Sequence, residues 1–246
     1  IYEPDAITEL VRGIKSGADC VIGELQYQGG QVSEESLYWR IERAIKRGES
    51  ATGNVVAGNG AIYAVERESY IPLPSDEISD FAEPLAILRN SGRIKYNSSA
   101  IATEQTSDNI SGEFSRRVRI STRAWHTMAK YRELLSPMGN LEISIKLLSH
   151  KVLRWLTPIY FGTILLLSVS LSYQSRLFTI LLVAETLLLS IGIIGWIAEQ
   201  YNLSIKSATV SIPQYLLIEN IGLLIGGLNL VRGKNIVSWE TTDRND

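Results

Sequence analysis

The chain has 246 residues, with 24 Lys and Arg against 26 Asp and Glu, for a formal charge of -2. A net charge this small excludes nucleic acid as the main partner. Cys20 is the only cysteine, which excludes an intramolecular disulfide and a cysteine-rich metal site. The hydrophobic share of 45% averages over two different halves. Residues 1–150 carry charge throughout and are long enough to bury a sizeable core. Residues 152–231 are mostly Leu, Ile, Val, Gly and Ser. The first residue is Ile1, the only methionines are Met128 and Met138, and no signal peptide opens the sequence. The chain is therefore expected to be a fragment that begins within a domain.

In chain order, Pro4 and Asp5 supply start chemistry for a first helix. "GADCVIGEL" predicts a short buried strand, Asp19 to Leu25. "SEESLYWRIERAIKRGES" predicts a helix, with Ser33, Glu35 and Ser36 as N-cap chemistry and Leu37, Ile41 and Ile45 as its apolar face. "NVVAGNGAIYAVERE" predicts a strand, a turn and a strand; Gly58 and Gly60 flank Asn59, which suits a backbone that lies close to a ligand. "LPSDEISDFAEPLAILRNSG" gathers Asp76, Glu77, Asp80 and Glu83 ahead of a helix that closes at Gly92. Such acids complement a helix dipole, and a chemical role would make one of them a general base. "GRIKYNSSAIATE" predicts a strand from Arg93 to Tyr96 and then an edge strand. Strands alternating with helices give an α/β domain. His126 and His150 stand alone, without metal-ligand spacing, and are expected at the surface. There is no phosphate-binding glycine loop, nucleophile elbow or dinucleotide fingerprint.

"SGEFSRRVRIS" places Arg116, Arg117 and Arg119 within four positions. Arginine binds phosphate bidentately and keeps its charge. On an extended segment Arg117 and Arg119 share one face. Two uses compete: a phosphate-bearing substrate, or anionic lipid, where each basic residue contributes about 1 kcal/mol. Arg123, Lys130 and Arg132 are assigned to the lipid interface. Next come Val152 to Tyr173 and "SRLFTILLVAETLLLSIGIIGWIAEQ", two apolar runs long enough to span a bilayer, joined by a tight turn. Glu185 lies inside the second and is read as a satisfied carboxyl between helices. A third run, Ile212 to Val231, is interrupted by Glu219 and Asn220 and either spans or lies at the interface. Lys146, Lys151 and Arg154 crowd the start of the first run, and the positive-inside rule places residues 1–150 in the cytoplasm.

Taken in order, "YEPDAITELV", "SEESLYWRIERAIKRGES", "GNGAIYAVERE", "ISDFAEPLAILRNSGRIKYNSSAIATE", "EFSRRVRI" and the apolar runs resemble the later part of a membrane-bound family 2 glycosyltransferase. Cellulose, chitin, hyaluronan and poly-N-acetylglucosamine synthases are similar, and the closing "NIVSWETTDR" looks like the tail of that group. The resemblance covers nearly the whole chain. It implies a partial GT-A-type α/β catalytic domain followed by transmembrane helices: 1–125 catalytic, 126–151 interfacial linker helices, 152–231 membrane region, 232–246 polar tail. It implies inverting transfer from a nucleotide sugar to a saccharide or lipid-linked acceptor at the cytoplasmic face of the plasma (inner) membrane. By the resemblance, Asp80 matches the catalytic base. "SRRVRI" corresponds to the family's Gln-x-x-Arg-Trp segment: Arg116 stands where Gln is usual, Arg119 matches the Arg, and Ile120 replaces the Trp. Arg116, Arg117 and Arg119 would hold the donor diphosphate, and Gly58, Asn59 and Gly60 would border the acceptor. The sequence departs from the pattern at Ser79, where an acid is usual, and at Ile120. The family's Asp-x-Asp motif is absent, so a divalent cation, Mg or Mn, is expected in the full-length enzyme with no metal ligands in this chain. The fragment alone is expected to be inactive. The alternatives are a non-catalytic, membrane-anchored scaffold derived from a transferase, and single-sugar transfer to a lipid phosphate carrier.

Overall fold

The computed structural model describes residues 1–28, 34–74, 77–105, 110–201, 203, 205 and 207–236. Ser33, Asp76 and residues 237–246 of the tail, on which some expectations fall, lie outside the described residues. The chain divides into two compact units. The first is built mainly from Ile1–Asp108 and Arg123–Val152, the second mainly from Asn109–Thr122 and Leu153–Lys234.

The first unit contains a three-stranded mixed sheet with helices, as expected of an α/β domain. Its strands are β1 (Cys20–Gln28), β2 (Tyr63–Val65) and β3 (Ile94–Gln105), in the order β2-β1-β3. β1 runs antiparallel to β2, with Ile22 opposite Tyr63, and parallel to β3, with Cys20 opposite Ile94. Between Gly23 and Glu24 the register jumps from Asn97 to Ile101, so β3 carries an irregularity there. A Cβ on Gly23 would sit 2.5 Å from the Ala100 carbonyl oxygen, so only glycine allows the two backbones this close. α1 (Ala6–Lys15) covers one sheet face: Ala6 and Leu10 join Val21, Ile62, Ala100 and Ala102 in one buried cluster. Each fully buried aliphatic side chain of this kind contributes about 1.5–3 kcal/mol.

Four expectations are corrected. The segment "NVVAGN" is not a strand: Val55 and Val56 are buried, but the backbone there lies in a loop and only Tyr63–Val65 pairs. The two predicted strands after Arg93 are one, because the irregularity lets β3 continue past Asn97. On α2 (Glu34–Thr52), Ile41 is 54% exposed, and the side chains turned inward are Glu42, Lys46 and Glu49. The i, i+4, i+7 face that the core covers is therefore the charged one. The expected first membrane run also breaks. After α5 (Leu141–Leu147), Leu148–Val152 forms a π-helical turn, α6 is only Leu153–Trp155, and α7 (Thr157–Leu171) restarts with Pro158 in its first turn. Proline suits the first turn of a helix and has no N–H to bond the turn before it, which explains the restart.

In the second unit, α8 (Arg176–Gln200) and α9 (Ala208–Val231) are long and apolar enough to cross a bilayer, as expected of a membrane protein. α7 has 15 residues, about 22 Å of helix, and is too short alone; it counts as a third span only if joined to the helix before it. α8 packs on α9 through glycines. A Cβ on Gly192 would lie 2.8 Å from the Pro213 carbonyl oxygen, and one on Gly195 2.8 Å from Val210 Cγ1. Small residues at such contacts let helix backbones pack closely where no hydrophobic force drives association.

Candidate functional site around Asp80

α3 (Ser79–Arg89) begins at the loop that carries the acids, and Asp80 lies in its first turn. The glycine loop is fastened to it. Gly58 N–H donates to the Asp80 carbonyl at 2.8 Å. A Cβ on Gly58 would come within 2.7 Å of that same oxygen, so the contact requires glycine. A Cβ on Gly60 would stand 3.6 Å from Asp80 Oδ2, in ordinary contact with the carboxylate, so the loop lies directly beside it. Asn59 is buried and braces the loop: its Nδ2 donates to the Gly23 carbonyl (2.8 Å) and its Oδ1 accepts from Ile62 N–H (3.0 Å). Gly58, Asn59, Gly60 and Asp80, chosen on sequence alone, are thus brought together.

Burial pushes the Asp80 carboxyl above the usual aspartate range, against the nearby positive charges of Lys151 and Lys46. A carboxyl shifted this way is a stronger base when ionised. The other acids serve the fold. Glu77 is buried and paired with Lys130; Tyr131 Oη donates to it at 3.3 Å, and Arg123 donates to its carbonyl. Arg123 and Lys130 therefore hold the loop before α3 and are not free for lipid, which corrects the interfacial assignment. Glu83 is buried and accepts from Tyr63 Oη at 3.2 Å. Cys20 is buried with its thiol pushed up to about 12, so it is no nucleophile.

Behind Asp80 lies a buried ionic cluster that sequence reasoning missed. Glu42, Lys46 and Glu49 on α2, with His150 and Lys151 on the π turn, are 2–8% exposed. His150 Nδ1 is 2.7 Å from Glu49 Oε1, and Nε2 is 3.1 and 3.2 Å from the two Glu42 oxygens. Lys151 Nζ donates to Glu42 at 3.4 Å, and Lys46 Nζ lies 4.0 Å from it. Lys46 Nζ also donates to the Gly58 carbonyl at 3.0 Å. Burial, only partly offset by Glu42, pulls Lys46 down to about 8. His150 is therefore not a surface residue: α2 offers two carboxylates one helical face apart, and the imidazole bridges them. Lys146 likewise donates to the Glu49 and Asn54 carbonyls (2.9 and 3.0 Å) and to Glu142 (2.6 Å). Of the three bases on which the positive-inside reading rests, Lys146 and Lys151 bond inside the first unit.

The arginine cluster belongs to the second unit. Arg116, Arg117 and Arg119 lie on α4 (Ile110–Lys130), so Arg117 and Arg119 stand about 200° apart instead of sharing a face. Arg116 is exposed and Arg119 half-buried. Arg117 pairs with Glu219 of α9 and stacks on Tyr215, 4.5 Å from the ring centroid. Further along, Asn229 Nδ2 donates to Thr122 Oγ1 (3.0 Å), and a Cβ on Gly222 would meet Arg117 Cβ at 3.3 Å. This seam explains why α9 tolerates Glu219: the carboxylate has a partner on α4.

No protein-family model and no curated protein matches the chain.

Proposed function

We propose that the chain carries the acceptor side of an inverting, membrane-bound glycosyltransferase of the family 2 type, with a partial GT-A-type domain on the cytoplasmic face. The observation that carries this reading is the glycine loop fastened to Asp80, a half-buried acid whose carboxyl burial raises above the usual range. In the proposed step Asp80 takes the proton of an acceptor hydroxyl while that oxygen attacks the anomeric carbon of a nucleotide sugar. The C–O bond to the nucleoside diphosphate breaks, and the diphosphate leaves with the electron pair. Gly58 lets the loop dock on the Asp80 backbone, and Gly60 sets no side chain against the carboxylate. By the family resemblance alone, Arg116 and Arg119 would neutralise the leaving diphosphate, the kind of electrostatic stabilisation that contributes most in such transfers. Arg117, tied to Glu219 and Tyr215, fixes the helix that presents them.

Among the described residues no group of three or more His, Cys, Asp and Glu could hold a divalent cation, and the acids on either side of Asp80 are engaged, Glu77 by Lys130 and Glu83 by Tyr63.

The test uses membranes from cells expressing the complete gene product, incubated with a panel of radiolabelled uridine and guanosine diphosphate sugars. Transfer from one donor, giving a product of inverted anomeric configuration by NMR, is the expected result. Product length then separates a polymer from a single sugar on lipid. No transfer from any donor would overturn the reading in favour of a scaffold.

A further inference from the structure

The buried cluster behind Asp80 is unusual in kind. Five ionisable side chains from α2 and a π turn are removed from water, and buried charges are rarely retained for stability, since apolar residues of equal size commonly do as well or better. π turns are rare and recur at functional sites. The cluster also has a direction. Glu49 and Glu42 clamp His150; Glu42 reaches Lys151 and Lys46; Lys46 ends the series on the Gly58 carbonyl. Gly58 in turn donates its N–H to Asp80. Both ring nitrogens of His150 face carboxylate oxygens, which fixes the ring between the two acids of α2.

Resting on the glycosyltransferase reading, we propose that Lys46, held in place by Glu42 and His150, is a positioning residue for that reaction: it fixes the Gly58–Gly60 loop against Asp80 and supplies a fixed positive charge behind the base. Lys46 touches neither acceptor nor donor. It acts through the loop carbonyl and through the field at Asp80. The charged and titratable groups facing Asp80 are Lys46 from α2, Lys151 from the π turn, Arg123 from α4 and Tyr63 from β2. Removing Lys46 deletes one cation of three. Ionised Asp80 then becomes harder to form, and the pH below which transfer fails moves upward.

The experiment measures transfer kinetics against pH for wild type, Lys46→Met, Lys46→Arg and Asp80→Asn in membranes containing the complete gene product. Lys46→Met is expected to lower kcat at least about tenfold with donor KM unchanged, and to shift the acid limb of the pH–rate profile upward. Lys46→Arg keeps the charge and is expected to return the acid limb to the wild-type position. Lys46→Met with wild-type kcat and an unmoved acid limb overturns the proposal. Should Lys46→Met fail to accumulate, His150→Gln carries the test, since it leaves Lys46 present but loosens its support. A lowered kcat at constant donor KM is then expected, and an unchanged kcat overturns the proposal. Transfer retained by Asp80→Asn would instead sink the glycosyltransferase reading itself. Loss in Asp80→Asn beside an unaffected Lys46→Met sinks only the role given to Lys46.

Discussion

The first unit turns charge inward and the second turns glycine inward. On α2 the buried face is Glu42, Lys46 and Glu49, each bonded to His150, Lys151 or a backbone carbonyl. On α8 and α9 the close contacts are Gly192 against Pro213 and Gly195 against Val210, and the carboxylate of Glu219 is answered by Arg117. The difference follows from the surroundings. A domain in water can recruit polar partners from several elements and hold them in a dry interior. Helices in lipid gain nothing from burying apolar area against one another, so they associate through close backbone packing and a few polar pairs. Where the first unit departs from the economical apolar core, it does so beside the residues that the sequence marks for chemistry.

That contrast can be broken most severely at Glu42. Glu42→Ala leaves His150, Lys151 and Lys46 short of an acceptor in a dry site, and removing one member of a buried ionic group costs about 3–5 kcal/mol. Hydrogen exchange over α2 and the π turn should accelerate accordingly; protection equal to wild type would show that the cluster carries no structural weight. Gly192→Val tests the other unit. The added side chain meets the Pro213 carbonyl, and overpacking of this kind costs about 1–3 kcal/mol. Titration with SDS followed by circular dichroism should show the α8–α9 hairpin opening earlier, with the first unit unaffected.

A smaller effect concerns Asp19. The hydrogen bond from Ser69 Oγ (2.5 Å), then that from Arg93 N–H (2.7 Å), hold its carboxyl below the usual range. A carboxyl lowered in the folded state adds stability that is present above its unfolded pKa and is lost as pH falls through the folded value. Ser69→Ala should therefore cost about 0.5–1.5 kcal/mol near neutral pH and bring acid unfolding of the first unit to a higher pH. An acid transition identical to wild type would remove the assigned cause.

The glycine turn and the acid-led helix start were legible because their chemistry is local, whereas the family resemblance alone singled out Asp80 among the four acids. Two glycines around one asparagine, and an acid in the first turn of a helix, advertise a tight loop and a carboxyl without reference to distant residues. Helix α1, the start of β1 and the apolar runs of α8 and α9 followed for the same reason. The ionic cluster was not legible. Its parts lie about a hundred residues apart, and Ile41 and Ile45 offered a competing apolar face on α2 that tertiary packing set aside. The spacing of Glu42, Lys46 and Glu49 was the available signal: a charged stripe at helical period beside a weaker apolar one. The break before α7 was signalled by Pro158, but the π turn ahead of it depends on His150 and Lys151 reaching α2, which no local pattern records.

Asp80→Asn tests most directly the role proposed for Asp80, the general base of a glycosyl transfer. Burial raises the Asp80 carboxyl, so its contribution to stability is fully present below the unfolded pKa and is lost as pH rises through the folded one. A neutral amide removes that penalty, so the thermal midpoint near neutral pH should hold or rise. Transfer by the complete gene product should fall by about 10²–10⁴-fold in the same preparation. Transfer at the wild-type rate in a folded Asp80→Asn protein would contradict the account.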